Sequence, residues 1–183
     1  AHKYQQAVAM KQSYEVMRRV FREFGEISGR CYDLIEEYRM EDAETAIVII
    51  GSSAGTAKAA IDEMRAEGKK AGLVKIRVFR PFPAEDIAKA LSGCKAVAVM
   101  GKADSFNAQT GPVYAETCAA LFGKENSPKM VNYIYGLGGR DVSTGTIKEV
   151  FAALDEIVST GITGEAYRHI GVRGLQEGQN YGI

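Results

Sequence analysis

Two glycine-rich segments carry the residue types and spacings best suited to binding chemistry. The first, Gly51-Ser-Ser-Ala-Gly55-Thr56-Ala-Lys58, follows an apolar run and opens a helical pattern. Open α/β sheets gather ligands at the carboxyl ends of their strands, and helix N-termini attract anions. Ser52, Ser53, Gly55 and Thr56 are therefore candidates for an anion site. The spacing is not Gly-x-Gly-x-x-Gly, and Thr56 stands where a phosphate loop would place its lysine. A tight strand-to-helix turn capped by hydroxyls accounts for the same residues without a ligand. The second segment is Gly136-Leu-Gly-Gly139-Arg140-Asp141. Its glycines permit a close backbone approach, and Arg140 suits a carboxylate or phosphate, so Gly138, Gly139 and Arg140 join the candidates. An Arg140–Asp141 network fastening the loop to a neighbour or another subunit is an equal reading.

Other constellations are weaker. Asp104, Ser105 and Asn107 follow an apolar run, but no histidine stands near Ser105 in the sequence, and turn chemistry explains them. Cys94 and Cys118 read as small buried hydrophobes. With Cys31 they make an odd, widely spaced set, which argues against a disulfide framework and for a reducing cytoplasm. Iron–sulfur clusters need about four grouped thiolates, and there is no Cys-x-x-Cys. The histidines are His2 and His169, far apart in the chain, so neither a zinc site nor a Cys/His nucleophile pair is visible. The acids Glu36, Glu37, Glu41, Asp42 and Glu44 read as a solvated face. No catalytic or metal-ligating residue is assigned.

Lys and Arg total 23 and Asp and Glu total 23, so the net charge is zero, which argues against nucleic acid or an anionic membrane as partner. Apolar runs are far shorter than the ~20 residues that span a bilayer, and the polar start lacks a signal-peptide pattern. At 183 residues and 46% hydrophobic, one domain with an appendage is expected.

The elements that must position these residues follow from periodicity. Tyr4, Ala7, Val8, Tyr14, Met17, Val20, Phe21 and Phe24 recur at helical spacing, predicting an amphipathic helix over 4–24. Residues 31–45 read as a partly extended acidic connector. Strands are expected at 46–50, 73–79, 96–100 and 131–135, with helices at 56–67, from Pro83, at 113–122 and from a capping box at Thr146. This alternation predicts an open, mostly parallel α/β sheet with helices on both faces, preceded by a long N-terminal helix. The division is 1–45 as linking helix and connector, 46–160 as the α/β unit, and 161–183 as a glycine-rich tail, irregular unless a neighbour holds it.

In order and spacing, the runs Tyr32-Asp-Leu-Ile-Glu-Glu-Tyr-Arg-Met-Glu-Asp-Ala43, Gly51 to Lys58, Val78-Phe-Arg-Pro-Phe-Pro83 and Tyr135-Gly-Leu-Gly-Gly-Arg-Asp141 resemble the alpha subunit of pyruvate:ferredoxin oxidoreductases. The resemblance covers residues 4–158, and branched-chain 2-oxoacid:ferredoxin oxidoreductases share much of it. It implies a domain like the C-terminal domain of transketolase, with the N-terminal alpha domain lying outside this sequence. It also implies a complex that converts a 2-oxoacid and coenzyme A to acyl-CoA, carbon dioxide and reduced ferredoxin. That complex uses thiamine diphosphate, magnesium and iron–sulfur clusters, none of them assigned to residues here. The expected role is a non-catalytic structural and interaction domain, inactive alone. Its expected partners are the missing alpha domain, other oxidoreductase subunits, ferredoxin for the complex, and a possible second copy. The alternative is a free-standing anion- or nucleotide-binding module.

Overall fold

The computed structural model describes residues 1–106 and 108–172. Six strands form one sheet: β1 (Ile35–Tyr38), β2 (Thr45–Ile50), β3 (Ala71–Ile76), β4 (Ala96–Gly101), β5 (Lys129–Ile134) and β6 (Tyr167–His169). Their order is β1-β3-β2-β4-β5-β6, with β1 antiparallel to β3 and every other pairing parallel. The apolar runs of β2 and β4 are buried on both sides, as helix-covered parallel strands must be. Ile47 and Ile49 point into one core, with Phe151, Leu154 and Ile61 of helices α5 (Thr144–Thr160) and α2 (Ser53–Ala66). Ala46 and Val48 point into the other, with Ile87 and Leu91 of α3 (Ala84–Leu91) and Val113 and Leu121 of α4 (Pro112–Leu121). The open α/β sheet with helices on both faces is as expected.

Several boundaries differ. The acidic connector contains an edge strand: β1 pairs with β3, and the amides of Arg77 and Val78 both donate to the Leu34 carbonyl at 3.0 Å. These two bonds also end β3 at Ile76, short of the expected 79. The acids are not a plain solvated face. Glu36 accepts from Lys58 and Arg77, Asp42 from Arg65 at 2.5 Å, and Glu44 from Lys70 at 2.9 Å and from Lys95. Gly72 allows this segment to close on the sheet, since a Cβ there would meet Met40 Sδ at 2.5 Å. Helix α5 is capped by Ser143, whose Oγ accepts the Thr146 amide at 3.1 Å, so Thr146 is not the capping residue.

The tail is corrected over 161–172. Strand β6 extends the sheet beyond β5, Ile170 is buried, and the Arg168 guanidinium donates to the carbonyls of Thr163 and Glu165 and to Tyr133 Oη. Polar anchors, which composition hides, hold this strap. The remainder of the tail, 173–183, lies outside the described residues.

Helix α1 (His2–Ser28) buries no residue. Its expected stripe divides between two faces. Tyr14, Met17 and Phe21 are half-buried on the side where Tyr14 Oη donates to the Phe82 carbonyl and Arg18 pairs with Asp86 at 2.5 Å. Val20 and Phe24, with Val16 and Ile27, form an exposed second stripe. In the loop between β4 and α4, buried Asn132 of β5 accepts the Gly111 amide at 2.7 Å and donates to the Val99 carbonyl at 3.1 Å.

Candidate functional site: a polar cleft at the strand carboxyl ends

From β2 the chain moves outward to β3, then crosses back over β2 to β4. The strand order therefore reverses between the parallel strands β2 and β4, where open α/β folds place a ligand crevice. Both strands run into a glycine, Gly51 and Gly101. A cleft of about 300 Å³ lies there, lined by Ser52, Ser53, Thr56, Lys102, Arg140, Asp141 and Val142. The two glycine-rich segments, over eighty residues apart in sequence, thus meet at one site.

Each lining group has a local cause. Gly51 takes a left-handed φ of 88° and turns the chain into α2, leaving Ser52 as an N-cap whose hydroxyl makes no cap hydrogen bond. The expected hydroxyl cap is absent there, so Ser52 Oγ is not committed to the helix. Gly136, Gly138 and Gly139 all have left-handed φ, at 68°, 65° and 77°, which swings Arg140 towards the cleft. Lys102 runs against Gly136, where an added Cβ would meet its Cε at 3.3 Å, and its ammonium lies 5.6 Å from the centre of the Tyr135 ring. Burial pushes the Tyr135 phenol up, with the Ser53 hydroxyl beside it pulling the other way.

The structure brings together Ser52, Ser53, Thr56 and Arg140 of the expected set. Gly55 does not line the cleft, and its amide closes a turn on the Ser52 carbonyl at 2.9 Å. Gly138 and Gly139 do not line the cleft either, and form the turn that leads into Arg140. Lys102 was missed. Its signal was positional: it follows Gly101 as Ser52 follows Gly51. Of the Arg140–Asp141 pair, Arg140 fastens its loop to a neighbouring segment, its Nη1 donating to the Gly171 carbonyl of the strap at 2.9 Å.

A second cluster lies on the same side of the sheet. Asp104 accepts from Tyr167 Oη, and its other oxygen lies 3.0 Å from His169 Nε2. Ser105 and the fully exposed Phe106 line the depression beside them. The fold thus supplies the histidine that sequence proximity did not, but its partner is Asp104. Hydrogen bonds from His169 and then Tyr167 hold the Asp104 carboxyl below the usual range, while Asp104 pushes the Tyr167 phenol up to about 12. At the opposite end of the strands, Lys95 and Lys70 draw Glu44 down to about 2. Burial raises the Cys94 thiol to about 11, as expected of a small core residue.

Among the described residues no three His, Cys, Asp or Glu side chains converge as a metal ion requires.

Residues 43–147 match the family model described as Pyruvate:ferredoxin oxidoreductase core domain II. The chain belongs to the pyruvate:ferredoxin oxidoreductase family, of which it carries the second core domain. It is 40% identical over 172 residues to the pyruvate synthase subunit PorA of Thermotoga maritima, covering 94% of this chain and 43% of that protein. It is also 40% identical over 152 residues to the alpha subunit of the NADH-dependent phenylglyoxylate dehydrogenase of Aromatoleum evansii, covering 82% of this chain and 36% of that one. The chain thus spans less than half the length of these curated relatives. A solved 2-oxoglutarate:ferredoxin oxidoreductase from Magnetococcus marinus shares the fold, with a TM-score of 0.50 and 21% identity over 69% of this chain and 20% of that one.

Proposed function

We propose that this chain is a structural and subunit-contact domain within the alpha subunit of a 2-oxoacid:ferredoxin oxidoreductase. The whole complex would decarboxylate a 2-oxoacid, transfer the acyl group to coenzyme A and pass two electrons to ferredoxin. Thiamine diphosphate, magnesium and iron–sulfur clusters would be held by other parts of it, in the cytoplasm. The observation that carries this reading is the 40% identity, across 94% of the chain, to a stretch amounting to 43% of one pyruvate synthase subunit. A pyruvate synthase subunit and a phenylglyoxylate dehydrogenase subunit are both 40% identical to this chain, over 94% and 82% of it, which supports substrate choice lying elsewhere in the complex. The exposed Val16, Val20, Phe24 and Ile27 stripe of α1 is the surface this reading assigns to the remaining subunit mass. No helix among the described residues is long and apolar enough to cross a membrane.

Calorimetry of the 183-residue chain with thiamine diphosphate and magnesium tests the non-catalytic role. The expected result is no saturable heat. A micromolar dissociation constant would overturn it.

A further inference from the structure

We propose that the cleft between the ends of β2 and β4 is an oxyanion site for a phosphate or pyrophosphate group, and that Arg140 couples its occupancy to the 161–172 strap. The inference rests on the cleft itself and stands whether or not the domain works inside an oxidoreductase. Two cationic side chains reach the cleft from separate loops: Lys102 after β4 and Arg140 after the Leu137–Gly139 turn. Three hydroxyl residues, Ser52, Ser53 and Thr56, line the side formed by the start of α2. Asp141 lines it too, so the side-chain charge is two positive against one negative, a net +1.

Donors from three directions suit a tetrahedral group, whose oxygens accept along several axes, better than a planar carboxylate with two. The charged donors supply the strong hydrogen bonds, and the guanidinium fork can engage two oxygens at once. A volume of about 300 Å³ admits pyrophosphate as well as orthophosphate.

The coupling follows from what holds Arg140. Nη1 is committed to the Gly171 carbonyl, which leaves the rest of the fork for the cleft. Next to Gly171, the Ile170 amide donates to the Ile134 carbonyl of β5 at 3.0 Å. An anion that fixes Arg140 therefore also fixes the strap against the sheet edge. By linkage, a strap docked on Arg140 binds the anion more tightly.

The test is a two-dimensional NMR titration of the full 183-residue chain at constant ionic strength. Orthophosphate, pyrophosphate and ADP are compared with chloride. The expected result is saturable shifts at Ser53, Thr56 and Lys102, with pyrophosphate tighter than orthophosphate. Lys102→Gln or Arg140→Gln weakens binding by at least about tenfold, the loss of one charge-assisted hydrogen bond. Arg140→Lys recovers only part of it, and Asp141→Asn tightens it. Pyrophosphate also slows hydrogen exchange at Ile170 and Gly171, and Arg140→Gln abolishes that slowing. ADP binding tighter than pyrophosphate would mark the source as a nucleotide; equal binding would mark a free phosphate. Chloride-like, non-saturating shifts, or binding unchanged in both Lys102→Gln and Arg140→Gln, would overturn the proposal. If Arg140→Gln loses its fold, Lys102→Gln decides, because the strap's hydrogen bond to this loop runs through Arg140.

Discussion

The first and last described segments are fastened to the domain by opposite means. Helix α1 is rich in aromatic and aliphatic side chains, runs for 27 residues, and buries none of them. The strap at 161–172 is short and glycine-rich, yet it adds a strand, buries Ile170 and places guanidinium, phenol and imidazole groups on specific oxygens. Apolar content therefore did not decide which end is anchored. A helix long enough to span about 40 Å cannot lay its whole length on a small domain, whereas a strand completes a ladder that already exists. Helix α1 leaves an apolar stripe exposed, whereas the strap is spent on the sheet edge.

The sharpest way to break that contrast is Ile170→Ala. Removing a buried isoleucine from the strap should cost about 2 kcal/mol or more in chemical denaturation. A negligible loss would mean that the strap detaches on its own. Next, Arg18→Ala cuts the ion pair that ties α1 to Asp86. With both side chains about one-third exposed, the loss should be about 1 kcal/mol, seen first as faster exchange in the C-terminal half of α1.

Acid should sharpen the contrast further, through Asp104. Its folded value is depressed, so the tie to Tyr167 and His169 is fully present above the ordinary carboxylate value and is lost as pH falls through the lower folded one. Strap amides followed by exchange should loosen below about pH 4, and Asp104→Asn should remove this dependence at the strap. A strap equally protected on both sides of that range would count against the tie. The smallest effect on stability belongs to Val20→Gln on the exposed stripe, expected within about 0.5 kcal/mol of zero. The same change in a whole alpha subunit should weaken its assembly, measured by sedimentation of the complex. Undiminished assembly would remove this stripe from the contact surface.

Four strands were legible because parallel strands covered on both faces must be apolar throughout, as the runs at Ala46 and Ala96 show. The edge strands were not. Ile35–Tyr38 carries two adjacent acids, which breaks the alternation of a half-buried strand, and Tyr167–His169 is three polar or aromatic residues, so neither rises above a loop in composition. Leu34, fully buried beside β1, was an apolar hint, along with Tyr32 and Ile35. Half of the cleft was visible as glycine-rich turns after strands. Lys102 was not, because a single lysine carries no pattern; only the strand order gives its position meaning. The strap network was invisible for a similar reason, since Asp104 and His169 are 65 residues apart and only β6 brings them together.

The Asn132–Gly111 clamp has a consequence for how this domain can change over generations. Gly111 is hemmed in by the Ile134 side chain, the Ala103 carbonyl and Asn132 itself, with no room for a Cβ to sit without displacement. One buried side chain thus fixes where the β4–α4 loop must re-enter the fold. The loop's entrance is fixed too, by Lys102 against Gly136 and by Asp104 against the strap. Between two such fixed points, lengthening a loop costs only about 0.6 kcal/mol per doubling. Residues inserted after Ser105 are expected to disturb the sheet less than residues inserted next to Gly111, which unfolding measurements on the two insertion variants would compare. The same insertion placed at Gly111 would separate Asn132 from its acceptor role and strain β5 directly.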